Sequence, residues 1–162
     1  MQMDRGFTKT LGTGDSAPEV SLVDANGASR SLESLLSSGP VLLAFFKVTC
    51  PTCQLTLPLL GRLAGAGMQI IPVSQDGPLA TREFAEEYGL SVSPMFDRAE
   101  DGYPASNAFG LTTVPSIFLI ERDRRIVWDL IGFHRKELET LAGRIGQTIF
   151  YKGDRVPELK AG

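Results

Sequence analysis

Apolar residues fall into dense short runs separated by glycine- and proline-bearing breaks, and their spacing assigns most of the chain. Residues 17–24 (Ala-Pro-Glu-Val-Ser-Leu-Val-Asp) alternate apolar and polar, as a half-buried strand does, and Asn26-Gly27 supplies a turn. Ser31 is placed to cap a short helix running through Leu36. The run Pro-Val-Leu-Leu-Ala at 40–44 is too short for a lone helix and follows Gly39, so it predicts a buried strand. The leucines of 54–64 have helical spacing. A second apolar run at 68–73 is again a strand, and 78–88 is a helix with Gly89 as its C-cap. Residues 94–97 read as a brief strand, Asp101-Gly102 as a turn, and 104–109 as one or two helical turns ending at Gly110. Strands at 116–120 and 126–131 are joined by polar residues that suit a hairpin. Leu138, Leu141, Ile145 and Ile149, three or four apart, predict an amphipathic helix over 136–149. The order β-α-β-α-β-α-β-β-α implies an α/β fold: a central mixed sheet with helices on both faces, parallel pairs through helical crossovers, then an antiparallel hairpin.

Residues 1–14 read as a flexible arm, 15–149 as one domain and 150–162 as a charged tail. With 162 residues, 43% of them hydrophobic, the chain can bury one substantial core. The net charge of -3 argues against an obligate nucleic-acid binder. Arg122, Arg124 and Arg125 are the densest positive group, but Glu121 and Asp123 interleave with them, as in a solvated turn. No apolar segment is long enough for a membrane span. Residues 1–6 carry no signal-peptide stretch, so the expected place is the cytoplasm, or outside it if an export signal has been removed.

Both cysteines of the chain lie in one motif, Cys50-Pro51-Thr52-Cys53, between a predicted strand and a predicted helix. That order puts Cys50 at a helix N-terminus, where free N–H groups and the helix dipole favour a thiolate. Pro51 suits the first helical position, where its missing N–H costs nothing. A spacing of one helical turn leaves both sulfurs on one face, within disulfide reach. Two thiols cannot complete a four-ligand zinc site, and the single histidine, His134, is far away in sequence, so no metal site is expected and redox chemistry is favoured. His134 reads as a surface residue before the last helix. Trp128 shares a strand face with Ile126 and Leu130 and reads as core.

Taken together, these residues resemble the redoxins of thioredoxin fold, and within them the thiol–disulfide oxidoreductases of the TlpA and ResA type. The resemblance covers roughly residues 15–146. It rests on Ala17-Pro18 and Asp24-x-x-Gly27 as an N-terminal β-hairpin, the cysteine motif, Pro58 at a helix kink, and 75–109 as a helical insertion. Thr113-Val114-Pro115 before the strand at 116–120 completes it. The resemblance implies a three-layer thioredoxin-like fold in which Cys50 attacks and Cys53 resolves. It also implies that Pro51 and Thr52 tune the pair, that Pro115 follows a cis bond, and that the Val114 backbone pairs with substrate. No dissociable cofactor is implied. The expected partners are protein or small-molecule thiols and disulfides with a recycling redox partner, met by a monomer.

The chain departs from that pattern at three places. Thr49 stands where the family usually carries tryptophan, Ala44 where thioredoxin has a buried acid, and Thr56 where ResA-like proteins have glutamate. Proton transfer at Cys53 is thus left without an obvious carrier except water. Lys47 either favours the thiolate by its charge or points into solvent. Two other readings stay open. A peroxiredoxin-like peroxidase shares the fold and the Cys-Pro-Thr echo, although Lys47 stands where that pattern wants threonine or serine. A thiolate copper carrier needs only two soft ligands, with Met95 the one candidate for a third.

Overall fold

A computed structural model describes residues 9–162; residues 1–8 of the expected arm lie outside the described residues. A hairpin of β1 (Ser21–Val23) and β2 (Ser29–Ser31) opens the domain and leads into α1 (Leu32–Leu36). The Ser31 hydroxyl accepts the Ser34 N–H at 3.1 Å, as the sequence predicts. Then come β3 (Val41–Phe46), α2 (Pro51–Leu60) with a 3-10 turn at Gly61–Leu63, β4 (Gln69–Ser74) and α3 (Pro78–Tyr88). The insertion continues through β5 (Met95–Phe96), a 3-10 turn at Ala99–Asp101, and α4 (Pro104–Ala108). The chain finishes with β6 (Ser116–Ile120), β7 (Ile126–Ile131), β8 (Phe133–His134), α5 (Arg135–Arg144) and β9 (Leu159–Lys160).

Seven strands form one mixed sheet in the order β2-β1-β5-β4-β3-β6-β7. The β3–β4 and β4–β5 pairs are parallel, and β3–β6 and β6–β7 are antiparallel. Every residue of β3 is buried, because this central strand is covered on both faces. Leu42, Ala44 and Phe46 face a cluster built with Leu57 and Leu60 of α2, Phe84 of α3, and Leu138 and Leu141 of α5. Val41, Leu43 and Phe45 face a second cluster with Leu32, Leu35 and Leu36 of α1, Ala105 and Phe109. The three layers expected from the sequence are present. Trp128 packs in the first cluster with Leu130, as expected, but Ile126 lies in the second, because the β6–β7 register shifts between Leu119 and Ile120; the Trp128 indole N–H has no partner among the described residues.

Three expectations need correction. The last helix ends at Arg144 instead of running to 149, because Gly146 turns the chain at a φ of +70°. Ile149 is buried, but as an anchor after the helix. Residues 150–162 do not form a loose tail. The Arg62 guanidinium meets Asp154 at 2.6 Å and lies over the Tyr151 ring, while Arg135 lies over the Phe150 ring. Beyond these, β9 pairs antiparallel with β8, Phe133 opposite Lys160. The described part of the arm is held too: Leu11 N–H donates to the Phe109 carbonyl, and Thr13 donates to Asp129 through both N–H and hydroxyl.

In the β6–β7 turn the arginines are not equivalent. Arg124, at a φ of +72°, donates to the Ala17 carbonyl and meets Glu19 at 3.5 Å, whereas Arg122 and Arg125 are exposed as expected.

Candidate active site

The buried end of β3 delivers the chain into the site through residues 47–49. Asp76, in the loop after β4, accepts the Val48 N–H at 2.8 Å, and the Gln54 side chain donates to the Val48 carbonyl at 3.0 Å. These two bonds fix the approach to Cys50, which is the N-cap of α2 in extended conformation with Pro51 as the first helical residue. The Cys50 sulfur accepts the Cys53 N–H at 3.1 Å, a bond that a thiolate makes more strongly than a thiol. Cys50 is half-buried and Cys53 fully buried, and both are free thiols in this structure.

Burial pushes the Cys53 thiol far above the ordinary cysteine range, and its hydrogen bond with Cys50 and the charge of Asp76 push the same way. The Lys47 N–H opposes them. Two neighbouring thiols thus sit in unlike surroundings, one at a helix start open to solvent and one inside the core.

Facing Cys50 is the loop before β6, where the Val114–Pro115 peptide bond is cis. The Cys50 thiol reaches the Val114 carbonyl at 3.5 Å. Val114 is half-buried and Pro115 buried, and the Thr113 carbonyl takes the Ser116 hydroxyl at 2.8 Å. A cavity of about 480 Å³ opens beside the sulfur, walled by Lys47, Pro51, Gln75, Tyr103, Asn107 and the Thr113–Val114 backbone. Lys47 is exposed and borders this cavity. Thr52 is buried, and its hydroxyl donates to the Ala161 carbonyl at 2.5 Å. The residues singled out in the sequence (Cys50, Pro51, Thr52, Cys53, Val114 and Pro115) are therefore brought together. His134 is not among them: it starts α5, opposite Leu159 in the small ladder.

Sequence reasoning missed three contributors. Asp76 is the carboxylate that bears on Cys53, where Ala44 and Thr56 supply none; Thr56 instead donates to the Thr52 carbonyl at 2.7 Å. Its signal was its place directly after an apolar strand running parallel to β3. The wall formed by α4 depends on Asp97, a buried carboxylate that accepts the Ala105 and Ser106 N–H groups and the Ser106 hydroxyl. The third is the segment ending at 162, which borders the cavity through Gly162. Among the described residues no cluster of His, Cys, Asp or Glu is arranged to hold a metal ion.

Comparison with known proteins agrees with this arrangement. A relative from Bacillus thuringiensis (strain Al Hakam) named thiol-disulfide oxidoreductase ResA is 29% identical over 129 residues, spanning 76% of this chain and 72% of its own. The fold matches the thioredoxin domain of a thiol-disulfide oxidoreductase from Bacteroides vulgatus with a TM-score of 0.70 at 23% identity, covering 83% of this chain and 98% of that one. It also matches the peroxidoxin BcpB from Mycobacterium tuberculosis with a TM-score of 0.65 at 24% identity, covering 82% and 97%. At residues 13–129 the sequence matches the AhpC/TSA family, and with its thioredoxin-like sheet and its ResA relatives the chain belongs to that family.

Proposed function

We infer that the protein is a thiol–disulfide oxidoreductase whose working couple is Cys50 and Cys53. The observation that carries this is the asymmetry of the pair: one sulfur caps a helix beside a cis-proline loop, and the other lies buried one turn behind it. In the reducing direction the Cys50 thiolate attacks one sulfur of a substrate disulfide. The substrate S–S bond breaks, a Cys50–substrate disulfide forms, and the leaving sulfur takes up a proton. Cys53 then gives up its proton and attacks the Cys50 sulfur. The second substrate thiol leaves, the substrate has gained two electrons, and Cys50–Cys53 has become the disulfide. The oxidising direction is the same sequence in reverse.

Burial of Cys53 keeps it protonated and unreactive until the mixed disulfide forms beside it, so solvent oxidants meet Cys50 first. The charge of Asp76 adds a small push in the same direction as burial. Pro51 and Thr52 set the geometry between the sulfurs, and the Val114 backbone offers its carbonyl to a bound chain. The substrates are protein or small-molecule thiols and disulfides, met by a monomer in the cytoplasm and recycled by a separate redox partner.

The test is an equilibrium titration of the pair against thiol buffers, read by alkylation and mass. One two-electron transition, lost in Cys50→Ser and Cys53→Ser, is the expected result. A pair that never forms the intramolecular disulfide, or a Cys50 that reacts with hydrogen peroxide far faster than with any disulfide, sinks the reading. Compartment and assembly are checked separately, by trapping the cellular redox state of the pair with alkylating reagents and by light scattering.

A further inference from the structure

The chain's own residues 158–162 run from a short ladder on β8 to the rim of the cavity beside the cysteines. The segment is anchored upstream by Ile149 and by the Arg62–Asp154 pair. It then runs along β8: the Arg135 N–H donates to the Glu158 carbonyl at 2.8 Å, and Lys160 lies opposite Phe133. Thr52, inside the Cys-Pro-Thr-Cys motif, donates its hydroxyl to the Ala161 carbonyl. Gly162 closes the run against the Val114 carbonyl, the group that the Cys50 thiol also reaches.

Two glycines fit this path. At Gly132, the turn from β7 to β8, a Cβ would come within 2.9 Å of the Lys160 carbonyl, so only glycine lets the segment pass so close; its φ of +80° also suits glycine. At Gly162 a Cβ would come far inside van der Waals contact distance of the Val114 carbonyl oxygen. Side-chain contacts contribute little here, since Leu159 is 64% exposed. The segment is held by backbone and by one hydroxyl, as a strand in a sequence-tolerant groove is held.

We propose that residues 158–162 are an internal strap that lies where a polypeptide substrate would pair, so that protein substrates must displace it before Cys50 is reached. The proposal rests on the oxidoreductase reading for its consequence, but its geometry can be tested without any redox turnover. Small thiols enter through the open cavity and are affected less than extended chains.

The test compares alkylation of reduced Cys50 by a bulky polyethylene-glycol maleimide and by iodoacetamide, in the full chain and in a variant ending at Val156. Shortening should raise the bulky reagent's rate roughly tenfold, a closure of about 1.4 kcal/mol, and iodoacetamide's much less. A peptide with the sequence of residues 157–162, added to the short variant, should lower the bulky rate again with increasing dose. Two full-length variants keep the test decisive if the short chain loosens. Lys160→Pro removes a ladder N–H, and Gly162→Val cannot seat against Val114, so each should give part of the increase. An unchanged ratio of bulky to small rates in both full-length variants overturns the strap. A normal redox titration beside that result would leave the oxidoreductase reading standing.

Discussion

Burial of Cys53 couples the chemistry of the site to the stability of the domain, and the coupling has a definite sign. In the unfolded chain this thiol ionises near the ordinary cysteine value of about 8.5. In the folded dithiol form, burial holds its value far above that. A folded value above the unfolded one means a contribution fully present below about pH 8.5 and lost as pH rises through the window above it. The loss is about 1.4 kcal/mol for each pH unit, so about 2 kcal/mol at pH 10. That is a visible part of the 5 to 15 kcal/mol usual for a domain. The assay is urea unfolding of the reduced protein from pH 7 to 10, followed by the fluorescence of Trp128, the single tryptophan, which packs in the same cluster as Cys53. The comparison is with Cys53→Ala, in which every other ionisable group of the chain remains. The variant starts lower, because it leaves a small cavity, and falls less steeply. Parallel slopes for the two proteins would refute the reasoning, since Cys53 would then ionise alike in both states.

Other outcomes follow from single contacts. Cys53→Ser should accumulate the Cys50–substrate mixed disulfide on non-reducing gels, whereas Cys50→Ser should form none. Asp97→Ala removes the acceptor of three hydrogen bonds at the start of α4 and should cost about 3 kcal/mol, read as a fall in Tm of roughly 10 °C. Asp76→Asn keeps an acceptor for the Val48 N–H but removes the charge acting on Cys53, so release of the mixed disulfide should move to lower pH in stopped-flow profiles. That shift should be modest, because burial is the dominant cause and Asp76 the least of those acting. Arg62→Ala loses the Asp154 pair and the contact with Tyr151, and should destabilise by about 1 to 2 kcal/mol in urea unfolding.

The parts of the fold that were legible in the sequence are those set by local pattern. The run 40–44 announces a buried strand, which the structure carries on to Phe46, and leucines at helical spacing after a Cys-Pro-Thr-Cys motif announce the helix it caps. The cis bond before Pro115 was not visible in the residues themselves, and came through resemblance. What escaped was long-range and polar. Arg62 and Asp154 are ninety-two residues apart, and neither carries a mark that says they pair. Two-residue strands such as β8 and β9 are too short for alternation to register, so 150–162 read as a tail. The last helix was drawn five residues too long because Ile145 and Ile149 continue its apolar spacing past Gly146, where the backbone cannot follow.

The site forms where it does because of strand direction. Since β3 and β4 are parallel, the loops leaving both, with Cys50 in one and Gln75 and Asp76 in the other, emerge at the same end of the sheet. Strand β6 is antiparallel to β3, so the loop entering it, with Thr113, Val114 and Pro115, arrives at that end too. Strand β7 is antiparallel to β6, with Ile131 opposite Ser116, and its exit at Gly132 falls on the same edge. Four neighbouring strands thus deliver an attacking thiol, a carboxylate, the Val114 carbonyl and a glycine turn to one rim, from segments that share no sequence pattern. The C-x-x-C motif marks the chemistry. The alternation of strand directions gives it a groove, and the same alternation puts Gly132, which the final segment crosses, within reach of the sulfur.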